Sequence, residues 1–275
     1  SGVTIRGKLW LMIGSVVLVI LAMIGSTYVR GSSILSDFLN RSAVEFTKSS
    51  AETLHQQFQN LVYVAKLSAV PMRAAYLTSE PEAREKYVAQ VAEEILSGVR
   101  QDGVINVYLG LETSGRLAIA SIDGPWQAPE GFDGRTRGWY KDAVRAPRGT
   151  VVFSTPFVEA ASKKLVIAAS IAVYGDEGEL LGVAAVETEL ADMIGYVTGR
   201  QSLGYGSGSL VLKDGLVIIH PEEELSMKSN LLSDAQFPEP IHALARRMVA
   251  GETGYADYEF GGERRRAFFA PVNED

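Results

Sequence analysis

The chain has 275 residues, with 26 basic against 33 acidic and a formal net charge of -7. Its 47% hydrophobic content excludes a disordered chain, and its acidic balance makes it a poor partner for nucleic acid. Cysteine is absent, which excludes disulfide scaffolds, thiolate metal sites and cysteine nucleophiles, and His55, His220 and His242 stand at no metal-ligand spacing.

The apolar residues are concentrated near the start. Leu9 to Val29 carries no charge, and a helix of that length covers about 30 Å, the hydrocarbon thickness of a bilayer. Trp10 and Tyr28 mark its ends, where amphipathic rings favour the interface. Arg6 and Lys8 precede it and Arg30 follows, so the expected topology has residues 1–8 in the cytoplasm, a transmembrane helix at 9–29, and 30–275 outside in the periplasm. A cleaved signal peptide is the alternative, but it has a shorter apolar core of about 7–15 residues.

Residues 32–69 contain neither Gly nor Pro, and Ile34, Phe38, Phe46, Leu54, Phe58, Leu61 and Val62 recur at helical spacing. This pattern predicts a long stalk helix, drawn here as 30–70, with a turn near Lys48–Ser50 as the alternative. It also suits a dimer face. Pro71 is expected to restart the chain, with a short helix at 72–77. Val88, Val91, Ile95 and Val99 then give the next helix its apolar stripe.

From Val104 the period changes to that of strands. A hairpin is predicted at 104–111 and 116–121, a loop at 122–136, a short helix at 137–144, and strands at 150–157, 164–174 and 179–187. A helix follows at 190–198. The pattern then recurs: a hairpin at 209–213 and 216–220, a helix at 240–250, a hairpin at 254–260 and 264–272. The expectation is α+β, with two tandem PAS-like antiparallel-sheet lobes at 71–200 and 201–275, distal and proximal to the membrane. The second lobe lacks the closing strand of the first, so the sequence is expected to be a piece of a longer protein. The Gly204–Gly208 stretch reads as a linker, and the Glu222–Glu224 and Arg264–Arg266 runs read as solvated faces.

The run FDGRTRGWYKDAV at 132–144, followed by the strands of 154–187, resembles the double-Cache (dCache) sensor domains of bacterial chemoreceptors. The resemblance implies a ligand site in the membrane-distal lobe and signalling through the membrane helices; it does not imply catalysis, and no enzyme activity, cofactor or metal is expected. By motif position Arg137, Trp139 and Tyr140 match the residues with which an amino-acid-binding subset holds a carboxylate. Phe132 and Phe157 stand where that subset has tyrosines, and Glu187 stands at its ammonium-binding Asp.

The chemistry of these six residues runs the same way. Arg137 offers a planar fork for an anion, unless it pairs with Asp133 or Asp142. Trp139 and Tyr140 offer aromatic faces, unless they are simply core. Glu187 favours an N–H or cationic donor, unless it is a solvated strand-end acid. Two lost hydroxyls and one added methylene point away from an unmodified α-amino acid and towards amines, modified amino acids and nitrogen heterocycles. The expected function is the extracytoplasmic small-molecule sensor of a homodimeric methyl-accepting chemotaxis receptor. A histidine kinase or cyclic-dinucleotide enzyme is the alternative output. A membrane-anchored hydrolase would need a nucleophile and base that no spacing supplies.

Overall fold

The computed structural model describes the backbone of residues 5–160, 162–190, 207–222 and 224–272, and no side chains at 1–19, 22 and 25. Helix α1, Ile5–Thr78, runs for 74 residues without a break. The turn considered near Lys48–Ser50 is absent. The Thr47, Ser50 and Thr53 hydroxyls donate to carbonyls four residues back, at 2.8, 2.9 and 2.9 Å, rather than bending the chain away.

Pro71 corrects a second expectation, because α1 continues through it. A proline inside a helix costs about 3 kcal/mol. Beyond it Met72, Ala75 and Tyr76 are buried in the main core, and their burial offsets that cost. Among the described residues no helix is long and apolar enough to cross a membrane. Most of the charge-free run at 9–29 has side chains outside the described residues.

Helix α2, Arg84–Val99, packs beside α1. A six-stranded antiparallel sheet follows, built from β1 (Val104–Leu111), β2 (Leu117–Ser121), β3 (Val152–Phe153), β4 (Phe157–Val158), β5 (Leu165–Tyr174) and β6 (Leu180–Glu189). The order is β2–β1–β6–β5–β3, with β4 also on β5. The single strand expected at 150–157 is thus two short ones, separated by a stretch containing Pro156, which has no N–H to give a ladder. Helix α3, Gly138–Arg145, lies against β5 and β6.

Parity along the strands sorts the residues by face. Val107 and Leu109 of β1, with Ala184 and Val186 of β6, join the α1 and α2 side chains in the main core. Tyr108, Val183 and Ala185 join Trp139 and Tyr140 of α3 in a second cluster on the other face. Between Val104 and Asn106 the β1–β6 register slips by one residue, a bulge that keeps Val104 in the main core while setting Asn106 opposite Glu187.

The remaining strands form two separate hairpins, β7 (Leu210–Val211) with β8 (Val217–Ile219), and β9 (Gly254–Phe260) with β10 (Glu263–Phe269). Helix α4, Glu239–Val249, lies between them in sequence. Among the described residues no pairing joins the two hairpins into one sheet, so the second PAS-like sheet drawn from the sequence is not continuous here. Ile218 and Ile219 pack with Leu54 of α1 and Ile167 of β5, and the Arg266 guanidinium donates to Asn40 Oδ1 of α1 at 2.7 Å. Of the helix expected at 190–198 only Leu190 is described, and of the linker at 204–208 only Ser207 and Gly208.

A buried carboxylate and an unpaired arginine around one cavity

The approach to the site is set by a short turn. Asp133 accepts from the Arg135 backbone N–H at 2.9 Å and from its guanidinium at 2.7 Å, while the Thr136 hydroxyl donates to the Asp133 carbonyl. Gly134 fits tightly there, its N–H donating to the Gly115 carbonyl at 2.7 Å. Arg137 then turns extended, with φ -79° and ψ 150°, and opens α3.

The two carboxylates that could have held Arg137 are engaged elsewhere. Asp133 is paired with Arg135, and Asp142 lies 3.9 Å from Arg145. The Arg137 N–H donates to the Gly134 carbonyl at 3.1 Å, but among the described residues its guanidinium has no hydrogen bond or ion pair. Its guanidinium carbon sits 5.9 Å from the centre of the Phe132 ring.

Trp139 presses edge-on against Tyr108, with ring centres 5.0 Å apart, and covers Gly110. A Cβ at Gly110 would stand 2.8 Å from the indole, so only glycine lets the ring down onto the sheet. Tyr140 faces away, its hydroxyl donating to Glu112 Oε2 at 2.5 Å. Burial, helped by that contact, pushes the Tyr140 phenol up.

Glu187 lies within β6, which runs to Glu189, so it is not the solvated strand-end acid that the sequence allowed. It is 3% exposed. Its Oε1 accepts from the Tyr108 hydroxyl at 2.6 Å, and its Oε2 from Asn106 Nδ2 at 2.7 Å. Burial pushes its carboxyl up to about 7. The two hydrogen bonds pull the other way, Glu159 adds to the rise, and Arg137 opposes it. The same burial, with Glu187 beside it, holds the Tyr108 phenol well above its usual range.

Glu159, just past β4, is also buried. Its Oε1 accepts from Trp126 Nε1 at 2.9 Å and its Oε2 from the Ser162 N–H at 2.5 Å. The first bond ties the 122–133 loop to the 159–164 turn, and Trp126 in turn meets Phe132 at 5.1 Å between ring centres.

These groups enclose an inner cavity of about 20 Å³, walled by Tyr108, Trp126, Phe132, Arg137, Trp139, Phe157, Glu159 and Glu187. An outer cavity of about 370 Å³ shares Phe132, Arg137, Glu159 and Ala160 with it and is otherwise lined by Pro129, Glu130, Gly131, Val158 and Lys163. Five of the six residues singled out in the sequence therefore meet at one place, and Tyr140 lies outside both linings. Tyr108, Asn106, Trp126 and Glu159 were not singled out. A buried Asn within the apolar run VINVYLGL was the available signal, since such a side chain needs a partner. Among the described residues no group of three acids or histidines could hold a metal ion.

The Cache domain model dCache_1 matches residues 35–275. The chain belongs to the Cache-domain family. It is 24% identical over 245 residues to methyl-accepting chemotaxis protein McpG of Pseudomonas putida, covering 87% of this chain and 35% of that protein. It is 35% identical over 144 residues to PscA of Pseudomonas syringae, covering 52% of this chain and 21% of that protein. The chain thus spans about a third or less of the length of these relatives. Among solved structures it resembles the ligand-binding domain of the Pseudomonas aeruginosa amino-acid chemoreceptor PctC in complex with GABA, with TM-score 0.61 and 25% identity over 80% of this chain and 87% of that one. The ligand-binding domain of Pseudomonas fluorescens CtaA shares the fold at TM-score 0.65, over 87% of this chain and 88% of that one, at 23% identity.

Proposed function

We propose that the chain is the extracytoplasmic, non-catalytic ligand sensor of a membrane-anchored chemoreceptor, and that its ligand is a small organic molecule held between Arg137 and Glu187. The observation that carries this reading is the pairing of opposites around one cavity. Among the described residues, an arginine whose guanidinium has no ion pair and a buried carboxylate with no cation at ion-pair distance both line it. A ligand with an acceptor or anionic end and an N–H end satisfies both groups at once. PctC bound to GABA is a relative with a ligand of that chemical description.

The inner cavity, at about 20 Å³, holds little more than one water-sized sphere. A ligand of several heavy atoms must therefore extend into the outer cavity or move the Trp126–Phe132 loop outward. Outward movement of the loop changes how it sits on the sheet, and the sheet's other face rests on α1. That packing gives a route by which occupancy biases the long helix.

The same reading keeps the span at 9–29, residues 30–275 on the outer side, and a distal lobe at 71–200 above a proximal one at 201–275. It also includes a homodimer. Tyr63, Leu67, Val70, Ala74 and Leu77 recur on α1 at alternating steps of four and three and are exposed. Leu67→Glu should shift the sedimenting species towards monomer, and an unchanged species would remove α1 from the interface.

Thermal-shift screening of the chain with amines, modified amino acids, nitrogen heterocycles and sugars tests the ligand reading. Hits are expected in the first three classes, and Arg137→Ala should abolish them. Hits among sugars alone, or hits that survive Arg137→Ala, would move the site elsewhere.

A further inference from the structure

Asn106 does not line the cavity, yet it is 3% exposed and holds the acid that does. The bulge in β1 sets it directly opposite Glu187. Its Nδ2 donates to Glu187 Oε2, while its Oδ1 is buried with no hydrogen-bond partner. A buried amide oxygen in that condition calls for a reason, since such groups are rare and costly.

The carboxylate it meets has no cation within ion-pair distance among the described residues. The charged and titratable groups around Glu187 are Tyr108 on β1, Arg137 at the start of α3 and Glu159 after β4. On β5 its register partner is Ala168, which offers nothing polar from its side chain. Glu187 therefore sits buried, with one positive and one negative neighbour, and its charge is finely balanced.

An amide can serve either state of such an acid. Against a carboxylate, Nδ2–H donates, as observed. Against a carboxylic acid, the amide turned by a half-rotation presents Oδ1 to accept the acid O–H. In each orientation the amide atom pointing away is the one without a partner, so the rotation exchanges one unpaired group for another. The proton on Glu187 then decides the orientation. Tyr108 donates to the other oxygen, Oε1, in both cases.

We propose that Asn106 is a positioning residue that holds Glu187 in one place as either carboxylate or carboxylic acid, its amide turning with the proton, so that the site admits both cationic and neutral N–H ligands. This rests on the ligand reading above. An ammonium arriving at Glu187 favours the carboxylate and sends the acid proton to solvent. A neutral N–H donor leaves that proton on the oxygen facing Asn106. The rise of the Glu187 carboxyl to about 7 puts both states within reach near neutrality.

The test needs no ligand, so it can fail or succeed independently of the ligand screen. Infrared pH titration of the full chain should reveal a protonated carboxyl that titrates near 7 and is missing from Glu187→Gln. Asn106→Leu should move that midpoint up by about one pH unit, because the charge-assisted bond it removes is stronger than the neutral one. In the unsubstituted chain the side-chain NH₂ resonances of Asn106 should titrate with the same midpoint. That measurement decides the matter if Asn106→Leu does not fold. A Glu187 midpoint in the ordinary carboxylate range, a midpoint unmoved by Asn106→Leu, or an Asn106 amide that ignores the Glu187 proton would each overturn the proposal.

Discussion

Val107 and Leu109 of β1 belong to the core beneath α1 and α2, whereas Tyr108, between them, belongs to the cavity side. The same division continues on β6, where Ala184 and Val186 alternate with Val183, Ala185 and Glu187. On the helix side the strands meet Leu61, Val64, Ala65 and Met72 of α1 in a close-packed, almost wholly apolar layer. On the cavity side they carry a buried acid, a phenol and an amide, and they meet aromatic rings that leave a gap. A period of two thus lets one set of strands carry stability and recognition without either set of side chains intruding on the other. Substitutions on the two faces should separate accordingly.

The largest expected effect is on the helix side. Leu109 is fully buried among α2, β1 and β6 neighbours. Leu109→Ala removes that burial and leaves a void, at a cost of about 3 kcal/mol. Denaturant unfolding should record the loss, and the Glu187 titration should keep its midpoint. A midpoint that moves with Leu109→Ala would mean that the two faces are not independent.

Most of this division can be read in the sequence, though not the part that sets the chemistry. The strands at 104–111 and 164–174 stand out from their β-branched runs, and the short helix at 137–144 from its motif. The run VINVYLGL is buried along its whole length, so hydrophobicity cannot say which residues face which way. The bulge after Val104 then resets the parity, and only the register with β6 reveals it. Tyr108 was invisible for that reason, and Asn106 offered only the signal of one polar side chain in an apolar run. Trp126 and Glu159 lie in loops, where no periodicity operates, and their hydrogen bond joins residues 33 apart. Tyr140 was misleading for the opposite reason: it follows Trp139 in the motif, but one step along α3 turns it about 100° away, towards Glu112. Pro71 looked like a boundary because proline disfavours helix locally, and the burial of Met72, Ala75 and Tyr76 overrides that preference.

The second effect is comparable in size and depends on pH. The Glu187 carboxyl is raised by burial from 4.5 to about 7. The folded chain therefore holds this proton more tightly than the unfolded chain does. The stability this contributes is complete below about pH 4.5 and is lost as the pH rises through 7. The span of the two values corresponds to roughly 3 kcal/mol. Glu187→Gln mimics the protonated acid, with its oxygen on Tyr108 and its NH₂ facing a turned Asn106. Between pH 5 and pH 8 the variant should gain on the parent by that order of magnitude in chemical unfolding. Parallel stability profiles for the two proteins would show that Glu187 is ionised throughout.

The smallest effect on stability belongs to the residue with the largest expected effect on binding. Arg137 is half-buried at the cavity mouth, and its guanidinium has no ion pair or hydrogen bond among the described residues. Its loss strands no partner and opens no void, so Arg137→Ala should fall within about 0.5 kcal/mol of the parent at pH 5. At that pH Glu187 is protonated and the two have no charge to share. At pH 8 Glu187 is ionised, and Arg137 helps to hold it so. A small extra loss should therefore appear there, together with a slight upward shift of the Glu187 midpoint. Comparing the two pH values separates a guanidinium that acts through the field of the cavity from one that braces the fold. Equal, large losses at both would assign Arg137 to the fold and leave the cavity without its anion-binding group.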